Sequence, residues 1–197
     1  LAKLACEVEI EKLGNPIGKQ DQYGAALGGL NFIKFNQDGS VSHEPILMEG
    51  KTYKKLQKNL LMFYTGTTRS ANTILAEQTK NITSDDKARN LLKMCGLAKD
   101  MKVALENNDI SSFGKILDEG WQLKKELASG IANPAIDEAY EIAMKNGALG
   151  GKLLGAGGGG FLLFYCEEEK QEQLKKAIGL RELDFSFERD GTSVIYI

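Results

Sequence analysis

The chain has 197 residues, 42% hydrophobic and 26% charged, with a formal net charge of −2, the balance of a globular protein with one large domain or one domain plus part of another. Its Lys and Arg residues are scattered, which excludes the basic footprint of a nucleic-acid or membrane-surface binder and leaves a small molecule or another protein as partner. Three dispersed cysteines and one histidine, His43, exclude a disulfide framework and a zinc or multi-imidazole metal site, and weaken Ser-His-Asp or Cys-His catalysis.

Leu1, Leu4, Ala5 and Val8 fall at helical spacing, so a helix is expected from the first residue to about Leu13, where Gly14-Asn15-Pro16 stops it. No capping residue precedes it, so the sequence reads as opening inside a helix, with further sequence expected upstream. The polar stretch Ile17–Tyr23 leads into the small-residue run Gly24–Gly29, which permits close backbone approach to a neighbouring element or to a ligand. Leu30–Phe35 alternates as a strand, turns at Asn36–Gly39 and pairs with Val41–Leu47, where His43 takes a structural role. The character changes near Gly50, the expected domain boundary. Asn59–Thr65 reads as a buried strand ending in the turn Gly66-Thr67-Thr68-Arg69-Ser70. Helices are expected over 71–80, 84–106, 111–128 and 134–145, with Asp109 or Ser111 as a cap and Pro134 in a first turn. The last third reads as strand 152–155, a glycine loop, strand 161–166, a charged helix 167–178, and strands 183–188 and 193–197. Strands separated by helices imply an α+β fold, an antiparallel or mixed sheet with helices packed on it. No run of 18 apolar residues and no signal pattern occurs, so a reducing cytoplasm is the expected location.

The run Gly155-Ala156-Gly157-Gly158-Gly159-Gly160 formally matches G-x-G-x-x-G. A dinucleotide fingerprint must open a helix, however, and Phe161–Tyr165 reads as a strand. A Walker A loop also fails, because Lys152 precedes Leu153 rather than Ser or Thr. What remains is a strand–loop–strand whose bare backbone can approach an anionic or polyhydroxylated ligand, with successive N–H groups forming an anion nest. A flexible linker is the weaker alternative, since the loop lies between two strongly apolar strands. Asp21 sits among Lys19, Gln20 and Gln22, where a carboxylate could take a proton from a substrate hydroxyl; on its residues alone a capping or surface aspartate is the stronger reading. Arg69, at a strand end, is placed for bidentate contact with phosphate or for a surface salt bridge. Lys152 is a candidate to neutralise phosphate or a solvated lysine.

Taken together, Gly18-Lys19-Gln20-Asp21-Gln22-Tyr23 through Gly28-Gly29, then Thr65–Ser70, then Lys152–Phe161, resemble the GHMP kinases, and among them the D-glycero-D-manno-heptose 7-phosphate kinases. The resemblance implies a ferredoxin-like C-terminal GHMP-kinase domain over residues 51–197, preceded by the remainder of the N-terminal domain over residues 1–50. It implies ATP-dependent, Mg²⁺-assisted phosphorylation of the anomeric hydroxyl of a heptose 7-phosphate for surface-glycan synthesis, with another sugar 1-kinase, fucokinase- or galactokinase-like, or a non-catalytic binding module as alternatives. In that scheme Asp21 orients or deprotonates the hydroxyl, and Gly155, Ala156, Gly157, Gly158 and Gly159 line the reaction centre. Gln22 and Arg69 border the substrate, and Lys19 or Lys152 meets its phosphate. The superfamily's Gly/Ser-rich phosphate loop would lie upstream of Leu1, so these residues alone are expected to show little ATP affinity and no turnover.

Overall fold

The computed structural model describes residues 1–67, 71–82 and 84–195. They divide into two compact units, residues 1–47 with the segment from Ser186 onward, and Met48–Phe185.

In the first unit the expected opening helix forms in two parts. Helix α1 (Ala2–Cys6) runs straight into a π-helical stretch, Glu7–Lys12, where the Leu13 N–H reaches back five residues to the Val8 carbonyl at 3.0 Å. Gly14, at φ +67°, then ends it. The polar and small-residue stretch that follows is helical, which its weak periodicity did not announce: α2 spans Gln20–Leu27. The alternating runs pair as expected, β1 (Asn31–Phe35) antiparallel to β2 (Val41–Pro45), with Ile33 opposite His43, and Tyr23 of α2 packs edge-on against Phe35 of β1 at 5.9 Å.

The small-residue run was open to a neighbouring element or to a ligand, and an element takes it. The Gly29 N–H donates to the Glu188 carbonyl at 2.7 Å, and the Thr192 hydroxyl to the Ala25 carbonyl at 3.0 Å. A Cβ on Gly28 would overlap the backbone nitrogen of Gly191, and one on Gly191 would lie 2.7 Å from the Ala26 carbonyl oxygen. This docking also explains why the expected strand at 183–188 does not form. The Glu188 carboxylate accepts from the N–H groups of Arg189 and Asp190, a side-chain-made turn that competes with a β ladder. Only Arg181–Glu182 pairs as a strand, β6; residues 193–195 are not strand, and the end of the expected last strand, 196–197, lies outside the described residues.

In the second unit, helix α3 (Gly50–Lys58) occupies the stretch read only as a boundary and buries Thr52 and Leu56. It leads into β3 (Leu60–Tyr64). Four helices follow, close to their expected limits: α4 (Ala71–Asn81), α5 (Asp85–Glu106), α6 (Ser111–Lys125) and α7 (Pro134–Lys145). Pro134 takes a first-turn position, and the Asn133 side chain caps α7 by accepting from the Ile136 N–H at 3.1 Å. Between α5 and α6 the Asp109 carboxylate accepts from the N–H and hydroxyl of both Ser111 and Ser112. Those bonds hold its carboxyl down to about 2. The pairing is therefore complete above the ordinary value of 3.8 and is lost as pH falls through about 2.

Strands β4 (Ala148–Leu153) and β5 (Phe161–Cys166) and helix α8 (Glu168–Ile178) complete the unit. The sheet order is β4-β5-β3-β6, every pair antiparallel, with the helices of the unit packed on it: the α+β architecture expected. The registers put Leu61 opposite Phe164, and Phe63 and Leu153 opposite Leu162, so these side chains share one face. That face is fully buried, with Trp121 of α6, Ile136 and Tyr140 of α7 and Leu174 of α8 in the same core. Tyr140 donates to the Asp118 carboxylate at 2.7 Å and accepts from the Gly151 N–H at 3.1 Å; burial first, and Asp118 second, push its phenol far above the ordinary range, so it remains a donor. The Cys166 thiol is likewise raised to about 11 by burial, which removes it as a nucleophile near neutral pH.

Helix α6 reaches β4 through backbone rather than side chains. A Cβ on Gly150 would overlap the Gly114 carbonyl oxygen, and one on Gly114 would lie 2.7 Å from the Leu149 Cβ. Gly150→Ala is accordingly expected to destabilise the protein by about 2–4 kcal/mol in denaturant unfolding, because the backbone must separate. Gly96→Ala serves as the contrast. Gly96 lies inside α5 with nothing within 4 Å of its added Cβ, so that variant is expected to gain about 0.5–1 kcal/mol from helix propensity.

Candidate functional site

The glycine loop is an ordered turn, not a linker. Its base is the last hairpin bond, from the Leu154 N–H to the Phe161 carbonyl at 2.8 Å. Gly157 and Gly158 are buried, and Gly155, Gly157, Gly158 and Gly160 all adopt positive φ, from +71° to +121°. An L side chain rarely tolerates that region, which is the physical reason for the glycine run.

Two distant segments hold the loop. From the stretch between α6 and α7, the Ile131 carbonyl accepts the Gly158 N–H at 2.9 Å. From the end of β3, the Thr67 carbonyl accepts the Gly160 N–H at 2.8 Å, and Gly160 returns its own carbonyl to the Thr65 N–H at 2.9 Å. The Thr65 hydroxyl adds contacts of 3.0 Å to both the N–H and the carbonyl of Gly160. The Lys124 ammonium donates to the Gly155 carbonyl at 2.5 Å, and the Asn133 amide reaches the Gly158 carbonyl at 3.4 Å. The N–H groups of Gly158 and Gly160 are thus committed to protein acceptors, so a nest of successive donors over the whole loop is not what the backbone offers. The loop presents mostly bare backbone instead, with the Ala156 methyl as its one side chain.

The other expected site residues fall into two sets. Lys19, Asp21 and Gln22 lie in the first unit, at and just inside the start of α2, where a carboxylate gains from the free N–H groups and the helix dipole. Asp21 and Lys19 are exposed. Gln22 is buried and donates its amide N–H to the Glu9 carboxylate at 3.0 Å, which ties α2 to the π-helical stretch; its amide oxygen has no hydrogen-bond partner. The glycine loop and Lys152 lie in the second unit. Lys152 is half-buried on β4, opposite Leu163, and lines a cavity between α5 and α6. Arg69 lies outside the described residues.

Several supports of these residues were not picked out in sequence: Glu9, Lys124, Ile131 and Asn133. Each acts through a contact more than ten residues away, and only Asn133, immediately before Pro134, carried a local signal, that of a helix cap. Thr65 and Thr67 were quoted beside Arg69 but not as anchors of the loop.

Comparison with known proteins agrees with this geometry. Residues 101–182, from the end of α5 to β6, match the family described as GHMP kinases C terminal. The chain is also 35% identical over 197 residues to D-glycero-alpha-D-manno-heptose 7-phosphate kinase of Campylobacter jejuni, covering 97% of this chain and 57% of that protein. Residues 101–182 belong to the GHMP kinase C-terminal family. A solved D-glycero-D-manno-heptose 1-phosphate kinase from Bacteroides thetaiotaomicron superposes with a TM-score of 0.65 at 30% identity, covering 96% of this chain and 52% of that one. The L-fucokinase/L-fucose-1-P guanylyltransferase of Bacteroides fragilis is 35% identical over 147 residues, 71% of this chain and 15% of that protein. The chain thus spans little more than half the length of its heptose-kinase relatives.

The loop geometry separates two glycines by mechanism. A Cβ on Gly157 would lie 2.7 Å from the Ile131 Cα, whereas one on Gly155 meets nothing within 4 Å. Gly155→Ala is expected to cost about 1–2 kcal/mol, the strain of positive φ alone. Gly157→Ala is expected to cost at least about 1 kcal/mol more, because the loop must also leave Ile131. Equal midpoints and slopes in urea unfolding of the two variants would contradict the anchoring.

Proposed function

We propose that this chain forms part of an ATP-dependent sugar kinase that phosphorylates a heptose 7-phosphate at its anomeric hydroxyl. The observation that carries the reading is the 35% identity to a heptose 7-phosphate kinase over 97% of the chain. The ordered glycine loop and the exposed Asp21 at a helix start supply features such a reaction needs. Phosphoryl transfer asks little covalent chemistry of the protein; it asks for positioning and for charge stabilisation around the transferring group.

In this reading Asp21 receives the hydrogen bond of the attacking hydroxyl, fixing its direction and drawing off its proton as the bond to phosphorus forms. Its exposure keeps it accessible to substrate, as a base of this kind requires. Gln22 acts one step back, holding α2 through Glu9. The glycine loop borders the reaction centre with backbone only, so the phosphates can come close without a side chain intervening. Lys19, Lys152 and Arg69 are the cations assigned to the phosphate of the sugar, which a guanidinium can grip bidentately and an ammonium only as a point charge.

Mg²⁺ supplies charge neutralisation on the transferring phosphates. Among the described residues no group of three or more His, Cys, Asp or Glu side chains is placed to hold a metal ion. In this reading the ion comes with the nucleotide, since Mg²⁺ keeps several waters and is held by one or two carboxylates plus substrate phosphates rather than by an all-protein cage.

A second reading, a fucokinase-like sugar 1-kinase, is favoured by the 35% identity to the B. fragilis protein. The two separate on substrate. In the chain completed with the remaining sequence of the C. jejuni relative, supplied with ATP and Mg²⁺, heptose 7-phosphate is expected to exceed L-fucose and galactose by at least about a hundredfold in kcat/KM, because a site built for a phosphate is left with unpaired cations by a free sugar. Equal kcat/KM for L-fucose would establish the second reading instead. In the same protein Asp21→Asn is expected to lower kcat by about 10²–10⁴ with KM for the sugar changed by less than about threefold; unchanged turnover would remove Asp21 from the mechanism.

A further inference from the structure

Helix α2 has few means of its own to hold its place. At eight residues it is shorter than a helix that persists in water by itself. Its N-cap position, Lys19, makes no side-chain capping bond, and Gln22 is its one buried residue. Two contacts hold it, the Gln22 amide on the Glu9 carboxylate and the Tyr23 ring against Phe35, and both lie in its first half. Its last turn is held by a segment of the same unit that arrives from the far end of the chain. The Gly29 N–H, which in a longer helix would bond the Ala25 carbonyl, donates to the Glu188 carbonyl at 2.7 Å. The Ala25 carbonyl takes the Thr192 hydroxyl instead, at 3.0 Å. Between these two bonds Gly191 lies directly on the helix end. A Cβ on it would stand 2.7 Å from the Ala26 carbonyl oxygen and from the Gly28 nitrogen. The segment Glu188–Thr192 thus forms a strap that stands in for the next helical hydrogen bond.

We infer, resting on the proposed role of Asp21 at the substrate hydroxyl, that this strap is a positioning element for the reaction, with Gly191 and Thr192 as its positioning residues. By fixing the last turn of α2 it sets where the Asp21 carboxylate stands. An α-helix rises about 1.5 Å per residue, so Asp21 lies roughly 6–9 Å along the axis from Ala25 and Leu27. A slip of about 10° at the strap therefore carries Asp21 through about 1–1.5 Å. Asp21 is exposed, so it has no packing of its own to correct a displaced helix. A misplacement of about 1 Å is enough to cost up to about a hundredfold in rate when a reacting group must be aligned. The strap touches neither substrate nor Asp21; it acts through the helix between them.

Two amides read the two ends of α2 in the full chain without any turnover. The Gly28 N–H, bonded to the Gly24 carbonyl at 3.1 Å, sits under the strap. The Tyr23 N–H, bonded to the Lys19 carbonyl at 3.3 Å, closes the turn that contains Asp21. Both are expected to exchange with deuterium at least about tenfold faster in Gly191→Ala, and about three- to tenfold faster in Thr192→Val, which deletes one hydrogen bond. The Ile46 N–H, bonded to the Leu30 carbonyl beside the β1–β2 hairpin at 2.8 Å, is expected to keep its rate. Thr192→Ser, which retains the hydroxyl, is expected to match the parent chain. Gly39→Ala carries the same positive-φ strain with nothing within 4 Å of its Cβ, and is expected to leave Tyr23 unchanged. An unmoved Tyr23 amide, or Tyr23 and Ile46 accelerating together, would overturn the strap's hold on the Asp21 turn. Thr192→Val decides the point where Gly191→Ala does not fold. In the chain completed with the remaining sequence of the C. jejuni relative, Gly191→Ala is expected to lower kcat about tenfold with KM for heptose 7-phosphate within about threefold. Added to Asp21→Asn it is expected to cost nothing further, because the strap then has no carboxylate to place. Fully multiplicative losses would overturn the positioning role. Full turnover in Asp21→Asn alone would overturn the catalytic consequence together with the reading it rests on, while the exchange rates still decide whether the strap holds the helix.

Discussion

The glycine loop depends on a small set of backbone hydrogen bonds made to it by segments far away in sequence. The Ile131 carbonyl takes the Gly158 N–H, and the Thr65–Thr67 turn makes four contacts with Gly160. Four glycines at positive φ would leave an isolated loop with many conformations and no reason to prefer one. The loop is ordered because its ends belong to a two-strand ladder and its crown is bonded on both sides. Its shape is therefore inherited from the end of β3 and from the α6–α7 connection, and anything that moves those two segments relative to the β4–β5 hairpin moves the loop.

That inheritance reaches into the core. The Ile131 side chain is completely buried in the cluster that contains Phe63, Trp121 and Leu162, so the carbonyl that fixes Gly158 is positioned by core packing. Thr65 directly follows β3, whose Leu61 and Phe63 occupy the same core. On the other side, α6 is locked to β4 by the overlap-limited approach of Gly114 and Gly150, and that helix carries Lys124 to the Gly155 carbonyl. A close-packed interior transmits small displacements rather than absorbing them. A site made of bare backbone has no side-chain rotamers with which to adjust, so its precision rests on the rigidity of what surrounds it.

How far the sequence revealed this follows from which interactions are local. Helices α5 to α8 were legible because their apolar spacing and end signals, Asp109 and Pro134 among them, are local. The β1–β2 hairpin and the β4–loop–β5 unit were legible for the same reason. Helix α2 was not, because its burial is slight and its small residues serve a contact with Gly191 that lies far along the chain. The period-2 pattern at 183–188 misled, because Glu188 turns the backbone with its own carboxylate and docks it on α2. In the site the pattern repeats. The glycine loop announced itself by composition, but its anchors Ile131, Thr67 and Lys124 carry no local mark, and Gln22, expected to border the substrate, is buried and bonded to Glu9 by a contact that no local pattern announces.

The same distinction separates what sits at the site from what holds it. Asp21 and Lys19 are exposed, while Gln22, their neighbour, is buried and bonded to a helix it only touches through folding. The glycine loop exposes its start at Gly155, while Ile131 behind Gly157 and Gly158 is fully buried. Lys124 belongs with the supports, since its ammonium, carried by the last turn of α6, bonds the Gly155 carbonyl at the exposed start of the loop.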